Sequence, residues 1–252
     1  TAALYDALVA PALDLAGAKP TVFFVPDGPL FLVPFGALPD ALGRPLIATR
    51  TVGIAPSLTT FLAASARLAH FRADDVLAVG DGHDPAVSGL PRLPHADEEA
   101  TAVGGLYPTR LVLTGPAATR HRMLEERHAV IHFAGHTIVN LQFPLFSRML
   151  LAPDSGDRDS GAMMASEITH DRFAGARVVV LATCEGAAGK LLEGEGVISI
   201  ARAFFGAGVP SVVASLWPVD DDSHGLLTAF HRELRNSADA ARALRVAQLA
   251  RV

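Results

Sequence analysis

The chain has 252 residues, 50% of them apolar, and a formal net charge of −5. This length suffices for one large domain, or for one domain with a smaller appendage. The acidic balance argues against a general nucleic-acid surface, which needs a clustered basic patch. No apolar run approaches the roughly 20 residues that span a bilayer, and a lone cysteine excludes an internal disulfide framework. We therefore expect no direct nucleic-acid partner, no membrane partner and a reducing, cytoplasmic location.

Two further features concern origin and completeness. Lys19 and Lys190 are the only lysines, and such arginine-rich usage is typical of a GC-rich bacterial genome. The chain begins at Thr1 rather than at a methionine, and its first residues lack the basic-then-apolar order of a signal peptide. The sequence therefore predicts a fragment or a processed piece of a longer protein.

The first third of the chain alternates short apolar runs with turns. Residues 22–25 predict a strand, residues 26–28 a turn and residues 30–35 a returning strand, so we expect an N-terminal β-hairpin. A strand at 52–55, a helix from 57 to 70 and a buried strand at 76–79 follow. Residues 80–94 are rich in Gly, Pro and Asp, which predicts an exposed, mobile loop.

The remaining chain alternates strand and helix patterns. The predicted strands lie at 110–113, 130–134, 149–151, 178–182 and 211–216, and the predicted helices at 96–107, 117–126, 165–171, 196–205, 223–236 and 238–252. Residues 178–182 form a continuous apolar run, as in a sheet covered on both faces. This order predicts an α/β fold with a mostly parallel sheet and helices on both faces.

Three of these strands end in residues that can carry chemistry. His136 follows the strand at 130–134, Cys184 follows the strand at 178–182, and the acidic run Asp220 to Asp222 follows the strand at 211–216. The carboxyl ends of parallel strands meet at one edge of a sheet, where ligands bind. We therefore expect the thiol, the imidazole and the carboxylates to lie close together.

This combination is suited to nucleophilic catalysis. A free thiol has a pKa of about 8.5 and is mostly protonated at neutral pH. A neighbouring imidazole can take its proton, and the same imidazole can later protonate a leaving amine. A glycine-rich turn at a strand end presents backbone N–H groups to the oxyanion of a tetrahedral intermediate.

Other interpretations of the same residues compete with this one. Cys184 can be a buried core residue, and His132 with His136 and Cys184 can ligate zinc, although a further ligand at suitable spacing is missing. One of the aspartates can cap the following helix. Residues 186–190 look like a phosphate-binding loop but lack the required first glycine and the final Ser or Thr.

The motifs together resemble the CHAT family, whose caspase-like domains often follow tetratricopeptide repeats and are distantly related to separase and caspases. His136 precedes Cys184 by about the 50 residues that separate the pair in caspases. Nearly the whole chain takes part in the resemblance, through segments 26–35, 93–99, 132–136 and 181–222. The last of these contains Gly194-Glu195-Gly196 and the run from Val212 to Asp221.

The resemblance implies one continuous caspase-like domain, with a hairpin and pseudo-caspase-like portion at 1–80 and a catalytic portion at 81–252. It implies a cysteine endopeptidase without a cofactor that cleaves a protein or peptide after a basic P1 residue, regulated by a tetratricopeptide-type or other sensor domain. The roles that it implies are a His136–Cys184 dyad, oxyanion amides from Cys184 and Thr137, substrate binding by Asp221, Asp220 and Glu185, and support from His132 and Gly135.

The chain departs from the family pattern near its catalytic residues. The family usually has Gly or Ala after the catalytic histidine, whereas this chain has Thr137. The family usually has Thr-Gly shortly after the cysteine, whereas Glu185-Gly186-Ala187 stands here. Thr137 in particular favours an alternative function, that of a catalytically silent CHAT-like interaction module.

Overall fold

A computed structural model describes residues 2–154, 161–183, 190–192, 196–198, 200–217 and 224–251. Its strands are β1 (Thr21–Phe24), β2 (Thr51–Ile54), β3 (Asp75–Val79), β4 (Thr109–Leu113), β5 (Val130–Ala134), β6 (Thr137–Ile138), β7 (Arg148–Leu150), β8 (Ala162–Met164), β9 (Val178–Ala182), β10 (Lys190–Leu192), β11 (Gly196–Ile198) and β12 (Ser211–Ala214). Its α-helices are α1 (Ala2–Leu8), α2 (Ala10–Ala16), α3 (Leu46–Thr49), α4 (Leu58–Leu68), α5 (Pro85–Ser88), α6 (Pro94–Gly105), α7 (Arg120–Glu125), α8 (His170–Phe173), α9 (Ile200–Gly206), α10 (His224–Ser237) and α11 (Ala240–Leu249). None of the helices described here has both the length and the apolar character needed to cross a membrane.

The core of the protein is a five-stranded parallel sheet, in the order β12-β9-β5-β3-β4. The predicted α/β fold with a mostly parallel sheet is therefore confirmed. The neighbouring strands β5 and β9 are almost completely buried because both faces of the sheet are covered, and their residues are apolar except for His132.

Alternate residues of each central strand pack into two separate apolar layers, one on each face of the sheet. On one face, Val130 and Val180 pack with α6, α10 and α11. On the other face, Ile131 and Leu181 pack with α8, α9 and a three-stranded antiparallel sheet, β6-β7-β8. The period of two along a strand produces this division, since successive side chains point to opposite faces.

The strand order reverses direction between β3 and β5. The chain passes from β3 outward to β4, then returns to the other side of β3 to form β5 and continues to β9 and β12. In open α/β sheets the crevice beyond the carboxyl ends of the strands lies at this reversal. The segments after β3 and after β5 therefore border one crevice.

The N-terminal region corrects one sequence-based expectation. β1 pairs in parallel with β2, and the predicted hairpin is wrong because Gly28–Leu32 form a 3₁₀ helix instead of a returning strand. The Asp27 side chain accepts a hydrogen bond of 2.9 Å from the N–H of Gly28 and so begins that helix. Pro29 and Pro34 have no N–H to donate to a strand ladder. The division at residue 80 stays a prediction, although β3, which precedes it, belongs to the main sheet.

The segment after β3 differs from expectation in its first residues only. Residues 80–94 were expected to be exposed, and most of residues 84–94 are, but Asp81 and His83 are 0% and 1% exposed. A side chain at Gly82 would place its Cβ 2.8 Å from the carbonyl oxygens of Gly115 and Ala118. Glycine at this position therefore lets the backbone turn inward against the neighbouring loops.

Candidate active site

His136 lies just after the carboxyl end of β5, as the sequence pattern predicts. The N–H of Gly135 still pairs with the carbonyl of Ala182 on β9, at 3.3 Å, so the two strands run together to this point. The His136 ring is half-buried, and its Nε2 lies 2.8 Å from the carbonyl oxygen of Pro91. A carbonyl oxygen only accepts, so Nε2 carries the proton. In a neutral ring, Nδ1 is then the basic nitrogen.

Asp81 and His83 also belong to this site, although no motif in the sequence indicated them. The His83 ring packs edge-on against His136, with ring centroids 4.9 Å apart. Nδ1 of His83 forms a short contact with the Asp81 carboxylate, and its Nε2 lies 3.2 Å from the carbonyl oxygen of Leu90. The Asp81 carboxylate also accepts from the N–H of Leu93, at 2.9 Å. Both residues follow Val79, the last residue of β3, so the tendency of ligands to bind at the carboxyl ends of parallel strands could have identified them.

Asp81, His83 and His136 also form a cluster that could hold a metal ion, with donor atoms within 4.8 Å of one another. The ring nitrogens of His83 already face a carboxylate and a carbonyl, and Nε2 of His136 faces another carbonyl. A bound cation would have to displace these contacts. The arrangement is instead suited to orienting the His136 ring. Among the described residues, His132 takes no part in this cluster and faces His231 and Glu99 instead.

Hydroxyl groups join the ends of the next strands. Thr137 Oγ1 donates to Thr183 Oγ1 at 3.3 Å, and Ser215 Oγ donates to the carbonyl of Thr183 at 2.8 Å. The carboxyl ends of β5, β9 and β12 are therefore held side by side. The remaining predicted site residues, Cys184, Glu185, Asp220 and Asp221, lie outside the described residues.

His132 lies inside the apolar layer beneath α6 and α10. It is fully buried, and its Nε2 is 2.9 Å from Oε1 of Glu99, although the angle departs from that of a regular hydrogen bond. His132 Nδ1 lies 3.1 Å from Nε2 of His231, whose Nδ1 lies 2.8 Å from the hydroxyl of Tyr107. Four polar side chains thus form a chain from α6 through β5 to α10.

The protonation states of Tyr107 and His231 determine in which direction hydrogen bonds are donated along this buried row of side chains. Burial, and then the neighbouring His132, lowers the pKa of His231 well below its usual range, so His231 is neutral. Burial raises the pKa of Tyr107, so its hydroxyl keeps its proton and donates to His231. His231 then donates to Nδ1 of His132, whose Nε2 faces the carboxyl group of Glu99 at 2.9 Å.

The fold and the site together define a class. The strand order matches that of doubly wound α/β proteins, and a histidine and the residues that orient it stand at the reversal of the sheet. A family model described as the CHAT domain matches residues 1–252, so this chain belongs to the CHAT domain family, which is caspase-like. The resemblance inferred from the motifs is thus confirmed.

Two proteins with similar sequences are named for tetratricopeptide repeats. The chain is 25% identical to human tetratricopeptide repeat protein 28 over 96% of its length, and 24% identical to the mouse protein of the same name over 98%. These alignments cover only 12% of each of those proteins. The chain is therefore similar to a small part of two much longer proteins.

Proposed function

We propose that this protein is a cysteine endopeptidase in which Cys184 attacks the scissile carbonyl and His136 transfers the proton. The observation that carries the proposal is the pairing of β5 with β9 as far as the Gly135–Ala182 hydrogen bond. Cys184 is the second residue after Ala182, as His136 is the second after Ala134. Neighbouring strands whose last residues pair, each followed two residues later by the thiol or the imidazole, support the proposal of a thiol–imidazole dyad.

The tautomer of His136 supports the assignment of its role. The carbonyl of Pro91 holds the proton on Nε2 and leaves Nδ1 free to accept the thiol proton. Asp81 and His83 back the ring from inside the protein and limit its rotation. A dyad of this kind needs a third group that orients the base, and the Pro91 carbonyl supplies it.

The N–H of Thr137 is suited to bind the oxyanion. Leu150 donates to the carbonyl of His136 at 2.9 Å, which makes Thr137 and Met149 a pair without mutual hydrogen bonds. In the described part of the chain β6 is the edge of its sheet, so this N–H points away from β7. The Thr137 hydroxyl is directed to Thr183. The Cys184 amide is the proposed second donor.

For the substrate we propose a basic P1 side chain held by Asp221 or Asp220, with Glu185 beside them. Support comes from strand order, because β12 lies next to β9 and its chain continues towards the aspartates. Trp217, three residues before Asp220, is 50% exposed and offers an apolar surface at that edge. We assign His132 and Gly135 supporting roles.

Regulation is the remaining part of the proposal. Because both similar proteins are named for tetratricopeptide repeats, we propose that such an array, attached or separate, controls the peptidase. The expectations of a bacterial and cytoplasmic protein stay predictions, as does the absence of a cofactor.

The test uses the fact that Cys184 is the only cysteine, so alkylation by iodoacetamide reports on it alone. At pH 6.5 we expect alkylation in the folded protein to be about tenfold faster than that of a free thiol, and His136→Asn to remove this difference. His95→Asn, which changes an exposed histidine, is the matched control. Alkylation no faster than that of a free thiol contradicts the dyad.

A peptide library completes the test. Wild-type protein should cleave after Arg or Lys, and Cys184→Ala should not. Cleavage after acidic or apolar residues would exclude the Asp221 assignment and keep the dyad. The second candidate function, a silent interaction module, is favoured by the β-branched Thr137 beside the dyad. A reactive Cys184 with no cleavage, restored by Thr137→Gly, would assign the silence to that side chain.

A further inference from the structure

A row of three side chains crosses the small sheet that follows His136. Ile138 on β6, Arg148 on β7 and Met164 on β8 are direct partners in the antiparallel ladders. Direct partners point to the same face of a sheet. Met149, the next residue along β7, points to the other face and is fully buried in the core. The row therefore faces outward, and all three side chains line a cavity of about 690 Å³.

Arg148 stands at the centre of this row without a partner in the described part of the chain. Other arginines near the site are paired, as Arg120 is with Glu167 at 2.6 Å. The Arg148 residue is half-buried, and it borders both the large cavity and a smaller one of about 190 Å³. A half-buried guanidinium without an anion is a binding group for a carboxylate, which it can hold with two parallel hydrogen bonds.

The loop between β6 and β7 supplies apolar surface beside this cation. Four large apolar side chains within six residues are more than half exposed, at 55–61%, namely Leu141, Phe143, Leu145 and Phe146. Leu141 and Phe146 line the same cavity as Arg148. Exposed apolar side chains clustered around a charged group are typical of a binding surface.

This surface is continuous with the candidate active site. The smaller cavity is lined by Ile138 and Arg148 and also by His83, whose ring packs on His136. β6 begins at the residue after His136 and keeps a free edge in the described structure. A free strand edge can pair with the backbone of an extended peptide.

We propose that this groove is a secondary subsite for an extended peptide substrate, with an acidic side chain on Arg148 and a neighbouring apolar side chain against Leu141 and Phe146. The inference rests on the proposed function for the identity of the ligand as a substrate. Charge complementarity selects the acidic residue, since Arg148 is the cation shared by both cavities. The proposed preference of Arg148 for an acidic side chain is separate from the proposed preference for a basic P1 residue.

The experiment measures binding without cleavage. The Cys184→Ala protein is titrated with fluorescein-labelled nonapeptides that carry one Arg and a Glu-Leu pair placed at successive positions in a Gly/Ser background. Matched peptides carry Gln-Leu or Glu-Ser. At the best position we expect the Kd for Glu-Leu to be about tenfold lower than that for Gln-Leu. Leu141→Ser, at an exposed position, should weaken binding of Glu-Leu and leave Glu-Ser unchanged.

Variants at Arg148 decide the assignment. Arg148→Gln should abolish the difference between Glu and Gln peptides, and Arg148→Glu should shift the preference to Lys-Leu. Arg172→Gln removes the same charge from an exposed residue of α8 that lines neither cavity, and should keep the difference. Equal Kd values for Glu-Leu and Gln-Leu, or discrimination that survives in Arg148→Gln, overturn the subsite. Discrimination without cleavage by wild type leaves the subsite and contradicts only the peptidase.

Discussion

His231 donates a hydrogen bond from Nε2 to Nδ1 of His132, at 3.1 Å, within the apolar layer between the sheet and α10. Both side chains are fully buried. A buried polar group costs stability unless it is hydrogen-bonded, so each member of the chain from Tyr107 to Glu99 depends on its neighbours. The pair also joins α10 to β5, the strand that ends at His136.

Removing the hydroxyl at the end of this chain should destabilise the protein. Tyr107→Phe leaves Nδ1 of His231 without its donor, and we expect the free energy of unfolding to fall by about 1–3 kcal/mol. Tyr5→Phe is the control, since the described structure gives its hydroxyl no hydrogen bond. Urea unfolding measures both variants. Equal effects of the two substitutions would contradict the role of the hydroxyl.

His231 should make stability depend on pH. Its pKa is lowered in the folded protein, whereas in the unfolded chain it is about 6.5. Below about pH 6.5 the unfolded state gains a proton that the folded state does not, so stability is lost as pH falls. We expect this residue to account for about 1.4 kcal/mol between about pH 7.5 and about pH 5.5.

Urea unfolding at a series of pH values checks this expectation. The glutamine side chain in His231→Gln does not titrate. The free energy of unfolding of this variant should therefore fall by about 1.4 kcal/mol less than that of wild type between about pH 7.5 and about pH 5.5. Parallel profiles would show that His231 takes up its proton without unfolding.

Substitution by alanine should have opposite effects on stability at two glycines, Gly135 and Gly105. A Cβ at Gly135 would lie 2.8 Å from Cζ of the fully buried Phe133, so Gly135→Ala should destabilise by about 1–3 kcal/mol. Gly105, at the end of α6, has open space around it, and Gly105→Ala should stabilise by about 0.4–1 kcal/mol. Thermal unfolding of the two variants tests the difference in sign.

Asp81 should matter much more for stability than its exposed neighbour Asp84. Asp81→Ala leaves the Leu93 N–H and the Nδ1 of His83 without an acceptor, and each loss costs about 1–3 kcal/mol. Asp84→Ala removes only the cap of α5, which accepts from Ala86, at a cost of about 1 kcal/mol. Comparable urea midpoints for the two variants would contradict the buried role of Asp81.

The amino-acid sequence by itself determined the layered α/β fold, because runs such as residues 178–182 have the composition of strands covered on both faces. It also determined that His136 stands at a strand end, since strand ends follow from local pattern. The prediction of a second hairpin strand at 30–35 was wrong. Apolar residues suit a 3₁₀ helix equally well where Asp27 caps its first turn and the prolines lack the N–H that a strand would donate.

Only the tertiary structure decided which strand ends meet. Asp81 and His83 precede His136 by more than 50 residues, and they contact it because the sheet reverses its order between β3 and β5. Strand order depends on long-range pairing, which no local pattern encodes. The same holds for Arg148, which local sequence presents as an ordinary surface cation. Its place between Ile138 and Met164, at the centre of an outward-facing row, arises from the register of three strands.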